Sequence, residues 1–355
     1  MGQIGVGIDI GHGAIKIVQL AKQHGRLELT GYSKVLLPAG LINNGLITDE
    51  ALLVGALKTA ISRLRIKQKK VIAAVAGDAV LIRNFTLPVM LGPELNSLIR
   101  SEVEKFIPFP ITEAEFDWDI IHQYQERGEM ELMVVAAQNQ LIASQVNCLK
   151  KAGLQPVIVD AQPFADLRAL GIETGNPSIL EEVAVLNIGS AITQMDIFYH
   201  GGLRVNRTIT IAGEALTRAV AEKLEISPEK AEAVKCNLGD ADYIFMDELS
   251  GTENYRANQV LRQKLAELII EIQRSLEYFK LQFNGATVSQ LVITGGGGKL
   301  RNLPTYLGRE LGLTVKLGDP LAGIHLHLKQ GDHAVLLGNP NQFGVAIGLA
   351  LRGVE

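Results

Sequence analysis

The period of the apolar positions changes repeatedly along the chain, and each change marks an element. Ile4 to Ile10 is an apolar run carrying glycines and Ala14 to Leu20 is a second, which predicts two buried strands joined at Gly11-His12-Gly13. Leu53, Ala56, Leu57, Ala60, Ile61 and Leu64 recur at helical spacing, predicting a helix over 50–64 before a short buried strand, Val71 to Ala76. Leu81 to Leu87 then alternates as a strand. Gly92 to Phe106 is helical, and Ile107-Pro108-Phe109-Pro110 breaks the chain. Strands over 115–123 and 131–137 and a helix over 140–152 complete a β-α-β-β-α segment that reads as an inserted subdomain.

From Val157 the buried pattern resumes, and Glu182 to Asn187 runs through Ile188-Gly189-Ser190 into Gln194 to Tyr199. This repeats the opening hairpin. A gap-free offset of 178 residues sets Asp9 on Asn187, Ile10 on Ile188 and Gly11 on Gly189, the mark of two related domains. Helices follow over 213–224, 228–237 and 258–283, the last with a stripe of Leu261, Leu265, Leu268, Ile272, Leu276 and Phe279. A strand, Leu291 to Thr294, enters Gly295-Gly296-Gly297-Gly298 before a helix over 300–311, and Gly344 to Val354 reads as core strand and helix. The alternation is α/β throughout.

A chain of 355 residues exceeds one ordinary core and implies at least two domains. With 34 basic and 38 acidic residues the net charge is -4, which gives nucleic acid no electrostatic purchase. Cys148 and Cys236 are far apart, which fits inert thiols in a reducing compartment and excludes a disulfide scaffold. Met1 to Lys16 lacks the basic start of a signal peptide. The longest apolar run, Val71 to Ile82, contains Asp78 and falls short of the roughly 20 residues of a spanning helix. Any membrane role is expected to come through a partner.

Glycine turns between strands let backbone amides point at phosphate oxygens. Two matched turns and a four-glycine run after a third strand therefore predict nucleotide binding. Other phosphate motifs fail: a P-loop would need glycine at Ile293 and Ser or Thr at Leu300, and a G-x-G-x-x-G started at Gly5 and Gly7 meets Ile10. Asp9, inside an apolar strand, is expected to face a cation, a magnesium shell or a donor cluster; a turn-capping Asp is the plainer reading. Lys16 fits a phosphate contact or a solvated edge lysine. His325 and His327 share a strand face, but without a third ligand they read as surface or loop histidines.

The three glycine elements in this order resemble the actin, sugar-kinase and heat-shock chaperone superfamily. Within it, the chain resembles the PilM family of type IV pilus assembly proteins, relatives of the division protein FtsA. Gly92 to Pro110 (GPELNSLIRSEVEKFIPFP) and Phe116-Asp117-Trp118-Asp119 resemble that family's inserted subdomain. The implied fold is an actin-like (ribonuclease H-like) two-domain α/β fold with an inserted β-α-β-β-α subdomain. The first domain would comprise 1–80, 156–178 and 342–355, with the insert at 81–155; the second would comprise 179–212 and 286–341, with a helical subdomain at 213–285.

The resemblance implies ATP and Mg2+ as cofactors. Asp9, Gly11, His12, Gly13 and Lys16 match the first phosphate element, with Asp9 reaching magnesium indirectly, and Asn187, Gly189, Ser190 and Thr193 match the second. Gly295, Gly296, Gly297 and Gly298 match the adenosine loop, Glu232 and Lys235 the ribose and base contacts, and Gln162 a water-orienting position. Two residues depart from the pattern. His12 stands where relatives carry Ser, and Asn187 replaces an aspartate, so binding is expected with weak or absent hydrolysis. The implied role is a cytoplasmic scaffold, peripheral to the inner membrane through its partner, binding the cytoplasmic N-terminal tail of a PilN-like membrane protein. Other pilus platform proteins and motor ATPases are further candidate partners. A small-molecule kinase and an FtsA-like filament-forming division protein are the alternatives on the same fold.

Overall fold

The computed structural model describes residues 3–43, 45–77, 80–90, 92–172, 182–246, 249, 251–328 and 333–355, and counts and absences here refer to these. Asp78 and the expected domain junction at 178/179 lie outside them.

Strands β1 (Gln3–Ile10), β2 (Ala14–Gln23) and β3 (Arg26–Leu36) form an antiparallel meander. A small hairpin, β4 (Ile42–Asn43) and β5 (Leu46–Ile47), leads to helix α1 (Glu50–Leu64), whose N-cap Asp49 accepts from the Leu52 amide. The return strand β6 (Lys70–Val75) pairs parallel with β1. Leu53, Leu57 and Ala60 of α1 meet Val6, Ile8, Ile15 and Ile17 in one core, as the helical spacing requires.

The inserted segment consists of β7 (Val80–Pro88), α2 (Pro93–Phe106), β8 (Ala114–Tyr124), β9 (Glu129–Gln138) and α3 (Asn139–Lys151). Its three strands form a separate sheet in the order β7-β9-β8, with Leu95, Ile99 and Val103 of α2 packed on one face. Helix α3 does not stay with this sheet. Its Cys148 and Leu149 are fully buried in the core with α1 and β1, so by packing it belongs to the first domain rather than to the insert over 81–155.

β10 (Gln155–Ala161) continues the first sheet parallel to β6, and α4 (Gln162–Ala169) follows directly. The second domain opens with the meander β11 (Val183–Ile188), β12 (Thr193–Tyr199) and β13 (Gly202–Ile209). Three helices come next, α5 (Gly213–Leu224), α6 (Pro228–Leu238) and α7 (Glu253–Gln282). Strand β14 (Gln290–Thr294), helix α8 (Leu303–Leu311) and strand β15 (Thr314–Leu317) close the sheet, with both strands parallel to β11. Its order, β13-β12-β11-β14-β15, is that of β3-β2-β1-β6-β10, so the short repeat seen in the sequence extends over five strands.

The last segment differs from the expected boundaries. Strand β16 (Ile324–Leu326) pairs with the outer edge of β3, and Leu336 of α9 (His333–Gly338) is buried beside Leu29 and Phe343. The chain therefore re-enters the first domain by residue 324, not 342, because the apolar residues of β16 find their partners on β3. Helix α10 (Gly344–Arg352) is helical throughout, where core strand and helix was the expectation. It lies directly on β1. A Cβ on Gly5 or Gly7 would stand 2.0 Å from the Ala350 carbonyl oxygen or 2.1 Å from that of Ala346. The Gly5-x-Gly7 pair thus serves backbone packing between strand and helix.

Candidate functional site

Between the two sheets lies a cavity of about 650 Å³. Asp9, Gly11, His12, Gly13, Lys16, Gln162, Asn187, Gly189, Ser190, Glu232, Lys235, Gly295, Gly296 and Gly297 all line it. Thr193 and Gly298 do not: the Thr193 hydroxyl is buried and donates to the Ile211 carbonyl, and Gly298 packs against Ile293.

The turns after β1 and β11 are built alike. The Gly11 amide donates to the Ala14 carbonyl at 3.1 Å, and 178 residues on the Gly189 amide donates to the Ile192 carbonyl at 3.0 Å. They meet tip to tip, since a Cβ on Gly13 would fall 2.7 Å from Ser190 Oγ. The Gly295 loop backs the second turn; at φ +81° a side chain there would be strained and would sit 2.4 Å from Asn187 Oδ1.

Register places Lys16 opposite Asp9, and its ammonium donates to Asp9 Oδ2 at 2.7 Å with both side chains mostly buried. Lys16 thus stands as a cation beside Asp9. The same register in the second hairpin places Gln194 opposite Asn187, so an amide pair stands where the first turn has an ion pair. Gln194 is 2 % exposed and accepts from the Thr208 hydroxyl, and its amide lies near enough to the Asp196 carboxyl to favour that group's charged form. The sequence signal for Gln194 was the 178-residue offset carried one strand further.

Lys34, next to Lys16 in register, lines the cavity and donates to Gln342 Oε1 at 2.6 Å. Burial and then the Lys16 charge hold its pKa below the usual lysine value. His12 also titrates low: burial outweighs the carboxylates of Glu214 and Asp9, leaving a neutral imidazole between the turns. On the far wall, Lys235 Nζ donates to Glu232 Oε2 at 2.6 Å and to Thr217 Oγ1 at 2.8 Å. Although burial works against its charge, these partners hold the Glu232 carboxyl below its ordinary range.

Sequence reasoning passed over Asp166, which is 1 % exposed behind the cavity wall and accepts from Asn187 Nδ2 at 2.7 Å. Burial raises its carboxyl to about 6. Its only trace in the sequence is a position one helical turn after Gln162. His325 and His327 are exposed on and beside the edge strand, and no cluster of three metal-ligating side chains occurs among the described residues.

The sequence profile of the family described as type IV pilus assembly protein PilM matches residues 7–354. The chain belongs to the PilM family. Membership places it in type IV pilus assembly. The solved PilM-PilN type IV pilus biogenesis complex is similar over 99% of this chain and 98% of its own, with 29% identity and a TM-score of 0.85. The actin-like fold of this PilM-family chain is shared by MreB5 of Spiroplasma citri bound to ADP, at 14% identity and a TM-score of 0.55 over 98% and 94% of the two chains. Cell division protein FtsA of Bacillus subtilis (strain 168) is 27% identical over 55% of this chain, and FtsA of Staphylococcus epidermidis (strain ATCC 12228 / FDA PCI 1200) is 22% identical over 89%. The chain spans 46% of the Bacillus protein and 74% of the Staphylococcus one.

Proposed function

We propose that this chain binds ATP with Mg2+ between its two glycine turns and serves as a scaffold for the cytoplasmic tail of a PilN-like membrane protein. The observation that carries the nucleotide reading is the tip-to-tip meeting of Gly13 and Ser190 over a cavity wide enough for a nucleotide. The residues fit the ligand. Lys16 and Lys34 supply positive charge on the wall, and the glycine at 13 leaves open the gap between the turns that a Cβ would fill.

In this reading Gly11 to Gly13 and Gly189 to Ser190 cradle the phosphates, and Gly295 to Gly297 pass beneath the adenosine. Glu232 and Lys235 hold the ribose and base. Thr193 and Gly298 act from behind, by fixing the backbone of their loops. Asp9 and Asn187 would hold Mg2+ through its water shell, and the ion would neutralise phosphate charge. Gln162 orients water at the phosphate end. An uncharged Asn187 leaves the second turn weaker for hydrolysis than for binding, so the nucleotide acts mainly as a structural ligand.

The partner reading is supported by the likeness to the PilM-PilN complex. Among the described residues no helix is long and apolar enough to cross a membrane, which fits a protein that reaches the inner membrane from the cytoplasm through its partner. Mg-ATP, ADP and a synthetic partner tail, titrated separately and together, test both parts by thermal shift. Ligand at about 100 times its Kd adds roughly 2.7 kcal/mol, a shift of several degrees. Absence of any shift at millimolar ATP would refute the nucleotide reading. A synthetic tail that produces no shift of its own would refute the partner reading.

A further inference from the structure

One buried carboxylate touches two of the cavity's polar wall residues from behind. Gln162 opens α4 and Asp166 follows one turn later on the same helical face, so both point toward the second sheet. Asp166 Oδ2 accepts from Asn187 Nδ2 at 2.7 Å and, at 3.5 Å, from Gln162 Nε2. Its other oxygen accepts from the Thr294 hydroxyl at 3.5 Å, and the first residue of α10, Gly344, is a glycine where a Cβ would sit 3.5 Å from it. All three of these side chains donate to the carboxylate.

An ionised carboxylate can only accept, so each amide must present its NH2 end to it. The opposite end of each side chain is then its carbonyl oxygen. Gln162 and Asn187 both line the cavity while Asp166 does not. The bonds to Asp166 therefore decide what the cavity is offered at these two places: acceptors rather than donors.

We propose that Asp166 is a positioning residue that turns the amide oxygens of Asn187 and Gln162 into the cavity to accept from the water shell of a divalent cation, supplying from one layer back the anion that Asn187 lacks. The proposal rests on the nucleotide reading above. In the first turn the carboxylate of Asp9 faces the cavity itself; in the second, an amide faces it and the carboxylate stands behind. Outer partners of this kind fix the orientation of the groups in front of them, and their loss typically weakens metal binding by about 10-fold to 100-fold.

The test compares wild type, Asp166→Asn and the exchange variant Asp166→Asn/Asn187→Asp, measuring ATP affinity by calorimetry in Mg2+ and in EDTA, with melting temperatures alongside. The ratio of the two affinities should fall by about 10-fold in Asp166→Asn, because either amide can then face either way, and should recover in the exchange variant. An unchanged ratio in Asp166→Asn overturns the proposal. So does an exchange variant that stays folded without recovering the ratio, since a structural role alone predicts that result, and so does a wild type whose ATP affinity ignores Mg2+. If Asp166→Asn fails to fold, the exchange variant alone decides, by keeping or losing the wild-type ratio. If wild type binds no ATP in either condition, the nucleotide reading has failed. The orientation is then decided by NMR of the free protein: a hydrogen-bonded, exchange-protected Asn187 side-chain amide that loses protection in Asp166→Asn supports it, and an unchanged signal overturns it.

Discussion

Asp196 offers a test of the second domain's electrostatics that does not depend on any ligand. It lies on β12, fully buried, two residues beyond Gln194 on the same strand face. Its Oδ1 accepts from Asn206 Nδ2 at 2.6 Å. Burial raises its pKa to about 8, with the Asn206 bond and the Gln194 amide opposing the shift and the Asp166 charge adding to it. Between the unfolded pKa near 4 and the folded value, the native state therefore holds a proton that the unfolded chain has released. Stability from this group is fully present at low pH and is lost as pH rises toward 8. At about 1.4 kcal/mol per pH unit, levelling as the group ionises, the loss between pH 6 and pH 8 is about 2 kcal/mol. Asp196→Asn replaces the neutral carboxyl with an isosteric amide that never ionises. Chemical denaturation of both proteins at intervals from pH 6 to 8.5 should show the variant gaining on wild type by about that amount, with the difference levelling above pH 8. Taking the difference cancels the contribution of His12. Parallel stability curves would mean that Asp196 is ionised when folded, and the reasoning would be wrong.

Glu131→Gln should cost about 3 kcal/mol in denaturation, because Arg204 is 6 % exposed and loses the carboxylate that clamps the inserted sheet to the second domain. Replacing both partners by apolar residues should recover most of that loss; equal costs for single and double variants would contradict a desolvation origin. Gly348→Ala should lower stability by at least about 1–3 kcal/mol, since its Cβ would stand 1.8 Å from the Ala165 carbonyl oxygen at the crossing of α10 with α4. A melting temperature equal to wild type would show that this crossing yields. Lys235→Met should weaken ATP binding by about tenfold, the loss of one charge-assisted contact of about 1.4 kcal/mol, and an unchanged affinity would remove Lys235 from the site.

Much of the fold was readable because local patterns and tertiary packing agree. The helix over 213–224 was expected with those bounds and forms over Gly213–Leu224. The two hairpins declare themselves through the offset that pairs Gly11 with Gly189. Less readable were elements whose meaning lies in distant partners. Three residues, Ile324 to Leu326, carry no strand signal by themselves and become one only on the free edge of β3. Helix α3 follows β9 in sequence, yet its buried Cys148 and Leu149 answer to α1. In the cavity, glycine turns advertise themselves by composition, which is why the three glycine elements of the wall were named in advance. Asp166 was missed because nothing in a short helical run separates a buried acid from a solvated one; the Asn187 amide that contacts it is 21 residues away.

The two hairpin turns are alike in hydrogen bonding but unlike in charge, with Asp9 and Lys16 on one side and Asn187 and Gln194 on the other. A cleft duplicated in shape but not in charge has polarity. In the proposed reading, an anion that carries its own cation would meet a different wall on each side. The two halves are thus interchangeable as scaffolding and not as chemistry. Grafting the first hairpin into the second position would abolish this difference in charge between the two sides of the cleft.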